Sequence, residues 1–80
     1  MLGVWEAEAA RAAAELRHAA DLLEEHAARR HRLASRWLAT WAGRHRDQFD
    51  SELHAASTTT RELADALRVA AARIESNLRQ

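Results

Sequence analysis

The chain has 80 residues, carries no cysteine and no proline, and balances 12 arginines against 12 acidic residues. A chain of this length forms one small domain with a limited core, and the missing cysteines exclude disulfides and thiolate metal sites. The start of the chain does not have the basic and apolar regions of a signal peptide, and no apolar run is long enough for us to expect a membrane span.

Apolar residues recur in alternating steps of four and three from residue 4 to about residue 40, which predicts one long amphipathic helix. This seam consists of Trp5, Ala9, Ala12, Leu16, Ala19, Leu23, His26, Arg30, Leu33 and Trp37. A flanking row widens the stripe with mostly small residues that admit a close neighbour: Ala13, Ala20, Ala27, Ala34 and Trp41. His26 and Arg30 interrupt the seam. Each either extends its polar end to water or fixes the pairing of a partner helix.

The stretch Trp41-Ala42-Gly43 interrupts the helical pattern near the middle of the chain. We expect helix 1 to span about residues 4–40, with Gly43 in the left-handed conformation that stops a helix. A turn over residues 41–45 follows. Asp47 and Asp50 favour a helix N-terminus at this point, so we expect helix 2 from about residue 46 to residue 78.

The second half of the chain repeats the spacing of the first. Its seam consists of Phe49, Leu53, Ala56, Thr60, Leu63, Leu67, Ala70 and Ile74. Residues 57–60 are poor helix formers but include no glycine or proline, so we expect the helix to continue through them. Two helices of similar length with a short connection predict an all-α antiparallel hairpin, one domain over residues 1–80.

When only two helices pack together, each can bury only one strip of its surface. We therefore expect two hairpins to dimerise into a four-helix bundle. The expected interface residues are Trp5, Leu16, Leu23, Leu33, Trp37, Phe49, Leu53, Leu63, Leu67 and Ile74. A basic block without any acid surrounds the bend: Arg29, Arg30, Arg32, Arg36, Arg44 and Arg46. Because both ends of the chain are acidic, these charges favour a head-to-tail pair of hairpins. The second hairpin is either the same chain or a different gene product.

Other functional classes have weaker support in the sequence. The five histidines, His18, His26, His31, His45 and His54, include no i,i+4 pair of metal ligands, so we expect no metal and no cofactor. The chain has no glycine-rich loop and little concavity, which argues against an enzyme and a small-molecule substrate. The arginine block near two tryptophans leaves open a nucleic-acid or anionic-surface binder, although the zero net charge argues against it.

Three features together resemble the Trp-x-Gly (WXG), ESAT-like family of small type VII (ESX) secretion proteins. These are the Trp41-Ala42-Gly43 bend, Phe49 six residues later, and the heptads through Glu62-Leu63-Ala64-Asp65-Ala66-Leu67. The resemblance covers essentially the whole chain. It implies a turn motif formed by Trp41 and Gly43, and a hairpin that joins a homodimeric or heterodimeric four-helix bundle.

The family resemblance also implies a location and partners. Such proteins are secreted without a cleavable signal peptide and are cytoplasmic before export; partners include a toxin and the secretion ATPase. The use of arginine alone as the basic residue fits a GC-rich, for example actinobacterial, coding sequence. The chain has no tyrosine, so it does not carry the C-terminal Tyr-x-x-x-Asp/Glu signal of many secreted members. Either the partner carries that signal or this chain is a chaperone-like subunit; an intracellular helical adaptor is the alternative.

Overall fold

The computed structural model describes residues 3–40 and 43–79. Two α-helices of 35 residues each, α1 (Val4–Leu38) and α2 (Arg44–Leu78), contact each other along the rod. The predicted all-α hairpin is therefore confirmed. Its Cα atoms span 62 × 16 × 11 Å, so the hairpin is a single layer that is one helix thick. Neither helix, within the described residues, has the apolar stretch that crossing a membrane requires.

The bend differs in detail from the sequence-based expectation. Helix α1 ends at Leu38 with a right-handed Ala39 after it, and Gly43 is the residue that precedes α2. Gly43 has φ 102° and ψ −167°, a conformation that is essentially restricted to glycine. The prediction that Gly43 stops helix 1 is thus wrong: this glycine directs the chain into helix 2. Trp41, the other residue of the predicted turn motif, lies outside the described residues.

An arginine from α2 caps the end of α1. Arg46 donates a hydrogen bond from Nε to the backbone carbonyl of Leu38 at 2.9 Å. The last carbonyls of a helix have no partner within the helix itself, so this bond satisfies one of them and connects the two helices across the bend.

Helix α2 is continuous through its weakest segment, as predicted. The hydroxyl groups of Thr59 and Thr60 donate to the backbone carbonyls of Ala55 and Ala56, at 3.1 and 3.0 Å. Threonine side chains can in this way bond back to the preceding helical turn, so the polar groups of this segment are accommodated without a break.

The contact between the helices is made mainly by alanine. Among the described residues, those with no exposed surface are Ala13, Ala20, Ala64 and Ala71. A small cluster of larger residues near the bend consists of Ala34, Leu38 and Leu53. In helix 1 the flanking row, rather than the predicted seam, faces the other helix. Small side chains allow close approach of the two backbones, and the larger seam residues lie beside the contact.

Candidate protein-interaction site

Large apolar residues line one side of the hairpin. Leu33 stands one position before buried Ala34, Trp37 one before Leu38, and Leu63 one before Ala64. One position corresponds to about 100° around a helix. Because the helices run antiparallel, residues that precede the buried row lie on the same side of the hairpin in both helices. We call this side, with Leu33, Trp37, Phe49 and Leu63, the apolar flank.

The residues of the apolar flank keep much of their surface in contact with solvent. Trp37 is 67% exposed and Leu63 is 51% exposed, and Leu33 and Phe49 are also exposed. Near the bend, Leu33, Trp37 and Phe49 line one groove of about 480 Å³. Trp37 and Phe49 therefore lie together near the bend, as the paired seams predicted. A groove with aromatic walls is a surface suited to an apolar side chain of a partner.

The other residues predicted at an interface fall into three groups. Trp5 is exposed in the first turn of α1. Half-buried residues lie along the edge of the apolar flank: Leu16, Leu23, Leu67 and Ile74. Leu53 is buried within the hairpin, in the cluster near the bend. Leu53 is thus covered by its own chain and, unlike the residues of the apolar flank, offers little surface to a second hairpin.

Ion pairs between the helices occupy the opposite side, which we call the polar flank. Arg68 of α2 binds Asp21 at 2.9 Å and also binds Glu24, both on α1. Arg17 of α1 pairs with Glu75 of α2. These pairs connect α1 and α2 at two levels of the rod, so they help to set the alignment of the two helices. Exposed pairs of this kind contribute little stability individually.

Hydrogen bonds in the polar flank change the acidity of its carboxyl groups. The hydrogen bond from Arg68 holds the pKa of Glu24 below its ordinary value, and the bond from Arg17 does the same for the pKa of Glu75. The same bonds raise the pKa of both arginines. Each hydrogen bond thus favours the charged form of both of its partners.

Two arginines of the basic block form hydrogen bonds to the opposite helix. Arg46 caps α1, and Arg30 reaches across the rod to donate to the hydroxyl of Thr60 at 3.4 Å. Arg29 and Arg30 also line the groove beside Trp37. The other three arginines of the block are Arg32, Arg36 and Arg44. Within residues 3–40 and 43–79, none of the six forms an ion pair with a carboxylate of the chain.

Two of the five histidines lie together across the helices. The rings of His31 on α1 and His54 on α2 have centroids 6.0 Å apart. The spacing of histidines within one helix gave no sign of this pair. His31 and His54 are separated from the bend by nearly equal numbers of residues, which in an antiparallel hairpin predicts that they lie opposite each other. In the part of the chain that the structure describes, no group of three or more histidine or acidic side chains could hold a metal ion.

Comparison of the chain with protein-family models, curated proteins and solved structures found no match.

Proposed function

We propose that the chain acts through protein–protein interaction, as one hairpin of a four-helix bundle in a WXG-like type VII secretion system. It is either a secreted substrate or the partner subunit that helps a toxin or sister protein reach the secretion ATPase. The observation that carries this proposal is the apolar flank, which a single hairpin leaves exposed to water. The bend motif and heptads of the sequence support the choice of family.

The exposed surface of the hairpin is large for its mass. The accessible area is 6375 Å² for 9.0 kDa, whereas a compact monomer of this mass exposes about 4,850 Å². The excess of about 1,500 Å² exceeds the roughly 800 Å² that each partner buries in a standard protein interface. A second hairpin laid on the apolar flank would cover surface of this order.

Burial of the apolar flank also contributes a driving force for association. Full burial of a large apolar side chain is worth about 1.5–3 kcal/mol. The four residues of the flank are roughly half-exposed, so each chain gains on the order of 5 kcal/mol and a symmetric pair about 10 kcal/mol. Association costs at least about 4 kcal/mol. The free energy gained by burying the flank therefore exceeds the lower estimates of the cost of association. Burial of the half-buried edge residues adds to this gain.

Charge favours a head-to-tail arrangement of the two hairpins. The basic block lies at the bend, while exposed Glu8 and Glu15, with Glu6, lie on the first turns of α1 at the open end. If one hairpin is reversed relative to the other, each basic bend meets an acidic open end. Complementary surface charges of this kind select orientation more than they increase affinity.

A matched pair of substitutions tests the apolar flank. Leu63 and Val69 are each 51% exposed on α2, but Val69 stands two positions before buried Ala71 and so faces away from the contact. We expect Leu63→Glu to weaken the dimer at least tenfold in sedimentation experiments, because it places a charge in the apolar interface. Val69→Glu should leave association unchanged. Equal effects of the two substitutions, or none from Leu63→Glu, would contradict the proposed interface.

If the second hairpin is a different gene product, the same two variants apply to the heterodimer. The chain is then coexpressed with the products of neighbouring genes, and the amount of co-purified partner is measured. Loss of the partner with Leu63→Glu but not with Val69→Glu supports the proposal, and retention with both opposes it.

Secretion is tested in the host cell. We expect the chain in the culture medium only when the type VII ATPase is intact, and Trp41→Ala should block export if the machinery binds the turn. Normal export of Trp41→Ala would limit the turn to a structural role. A chain that remains inside the cell and has no effect on export of a partner would favour the adaptor. A gel shift with nucleic acid that persists at modest salt would instead favour the anionic-partner function.

A further inference from the structure

A row of charged residues borders the apolar flank on α1. Its members are spaced seven residues apart and are all exposed: Glu8, Glu15, Leu22, Arg29 and Arg36. Each member stands one position before a residue of the seam, as Arg36 stands before Trp37. One position is about 100° around the helix, so this row lies at the edge of the apolar flank that is further from α2. We call it the outer row of α1.

The outer row of α1 is complementary to itself about Leu22. Glu15 and Arg29 are each seven residues from Leu22, on opposite sides of it. Glu8 and Arg36 are each fourteen residues from it. When two copies of a helix pack antiparallel, a row that flanks the apolar seam meets the same row of the other copy, and its charges set partner choice and orientation. With Leu22 at the centre, every acid of the row faces an arginine.

We propose that the second hairpin is another copy of this chain, related to the first by a twofold axis that crosses the rod beside Leu22. This inference rests on the proposed function and names the partner that the function requires. An axis in this direction reverses the rod and lays α1 on α1 and α2 on α2. A twofold axis along the rod would instead lay α1 on α2 and bring the two basic bends together.

The outer row of α2 is complementary to itself about the same axis. Its members are exposed and each stands one position before the seam: Glu52, Thr59, Ala66 and Arg73. In an antiparallel pair of α2 helices, Glu52 of one copy meets Arg73 of the other.

The centres of the two outer rows lie at one level of the rod. The centre of the row on α2 falls between residues 59 and 66, beside Leu63. His31 and His54 lie opposite each other. Leu22 is nine residues before His31, and Leu63 is nine residues after His54, so Leu22 and Leu63 are near the same level. One twofold axis therefore satisfies the charges of both helices.

The charges of the outer rows are not used inside the hairpin. On the polar flank, Arg17 and Arg68 pair with carboxylates of the opposite helix. In the part of the chain that the structure describes, none of the six charged residues of the outer rows forms an ion pair. Charges at both edges of an apolar surface, without partners in their own chain, have the arrangement that selects a partner helix.

Side-chain size agrees with this alignment of the two copies. Trp5 is the second residue of α1 and Trp37 is the last but one, so reversal of a fully overlapping α1 brings Trp5 of one copy to the level of Trp37 of the other. Both are exposed, at 66% and 67%, and aromatic pairs add to the gain from burial. Towards the centre, Leu23 meets the small side chain of Ala19. The groove near the bend is thereby covered by Trp5 of the second copy.

A charge exchange tests the alignment in the full chain by sedimentation equilibrium at low salt. Glu15→Arg and Arg29→Glu each place like charges opposite each other at two symmetric positions, so each should weaken the dimer about tenfold. The double variant restores both attractions, and its dissociation constant should return to within about threefold of that of the unmodified chain. Glu25→Arg is the control, because Glu25 is exposed on α1 and lies five positions after buried Ala20, away from the apolar flank.

Cross-linking reports the orientation of the two copies, because the unmodified chain has no cysteine. Glu8→Cys and Arg36→Cys are prepared as separate variants and treated with a short bismaleimide. The two positions are about 42 Å apart along α1, which excludes a cross-link within one chain. In the proposed dimer they meet only between one chain of each kind. The equimolar mixture should therefore give cross-linked dimers, and either variant alone should give none.

Several results would overturn the twofold pairing of copies. These are cross-linking of either variant alone, no cross-link in the mixture, no rescue in the double variant, or a chain that dimerises only with another gene product. Each of these leaves the proposed function intact, provided that Leu63→Glu still abolishes association with the hairpin that binds. An unmodified chain that stays monomeric with every candidate partner would instead contradict the proposed function itself. Circular dichroism of each variant establishes that the helices are retained.

Discussion

The alanine contact between the helices can be tested by enlarging one buried alanine. Ala13 has no exposed surface, and leucine at this position adds three carbon atoms within the contact between the helices. Overpacking of a well-packed contact costs about 1–3 kcal/mol. In a domain of 60–100 residues, 1 kcal/mol shifts the thermal midpoint by about 4–8 °C. We therefore expect Ala13→Leu to lower the midpoint by roughly 5–20 °C.

The control for this substitution is its neighbour in the sequence. Ala14 is exposed, and leucine has nearly the helix propensity of alanine, so Ala14→Leu should change the free energy of unfolding by less than about 0.5 kcal/mol. Both variants are melted at one fixed chain concentration and followed by circular dichroism, because association shifts the midpoint. An unchanged midpoint in Ala13→Leu, or equal shifts in both variants, would refute the alanine contact.

Three further predictions concern the bend and the polar flank. Gly43→Ala should lower the thermal midpoint through backbone strain of about 1–3 kcal/mol; an added Cβ there meets nothing within 4 Å, so no steric clash contributes. Gly3→Ala is the control, because Gly3 also precedes a helix but has φ −79°; the added Cβ displaces only the flexible end of Glu6, and the midpoint should fall by less than in Gly43→Ala. Arg46→Met should lower the midpoint by about 5 °C, because it removes the hydrogen bond to the end of α1; an unchanged midpoint would show that water replaces this cap. The hydrogen bond from Arg17 lowers the pKa of Glu75 from its ordinary 4.5. The stability that this hydrogen bond provides is therefore present above pH 4.5 and is lost as the pH falls through the lowered pKa of Glu75. In thermal melts at acid pH, Glu75→Gln should lose less stability below about pH 4.5 than the unmodified chain does. Identical dependence of the thermal midpoint on pH in the two proteins would contradict the pairing of Arg17 with Glu75.

The helices were predictable because their signals are local. Apolar steps of four and three, strong helix formers and one central glycine are enough to predict two rods and a bend. The weak segment at residues 57–60 remained helical because threonine hydroxyls bond to the preceding turn. The role of Gly43 was harder to predict, since a glycine at a bend can either end one helix or begin the next.

The helix contact itself could not be chosen from periodicity. In helix 1 the row containing Ala13 and Ala20 and the row containing Leu33 and Trp37 have the same period and lie one position apart. Side-chain size determines which of the two rows packs against α2. Alanine allows the two helix backbones to approach closely, whereas bulky residues fit only at the edge of the contact. Contacts across the bend, such as His31 with His54, depend on the alignment of α1 and α2, which spacing within one helix does not contain.

The central claim is that the hairpin covers its apolar flank with a second hairpin. Light scattering of the unmodified chain over a range of concentrations, with helix content measured on the same samples, tests it most directly. We predict a helical species of about 18 kDa, twice the 9.0 kDa of one chain, or a chain that becomes fully helical only with its partner. A fully helical monomer of 9.0 kDa that persists at all concentrations and with every candidate partner would contradict the claim.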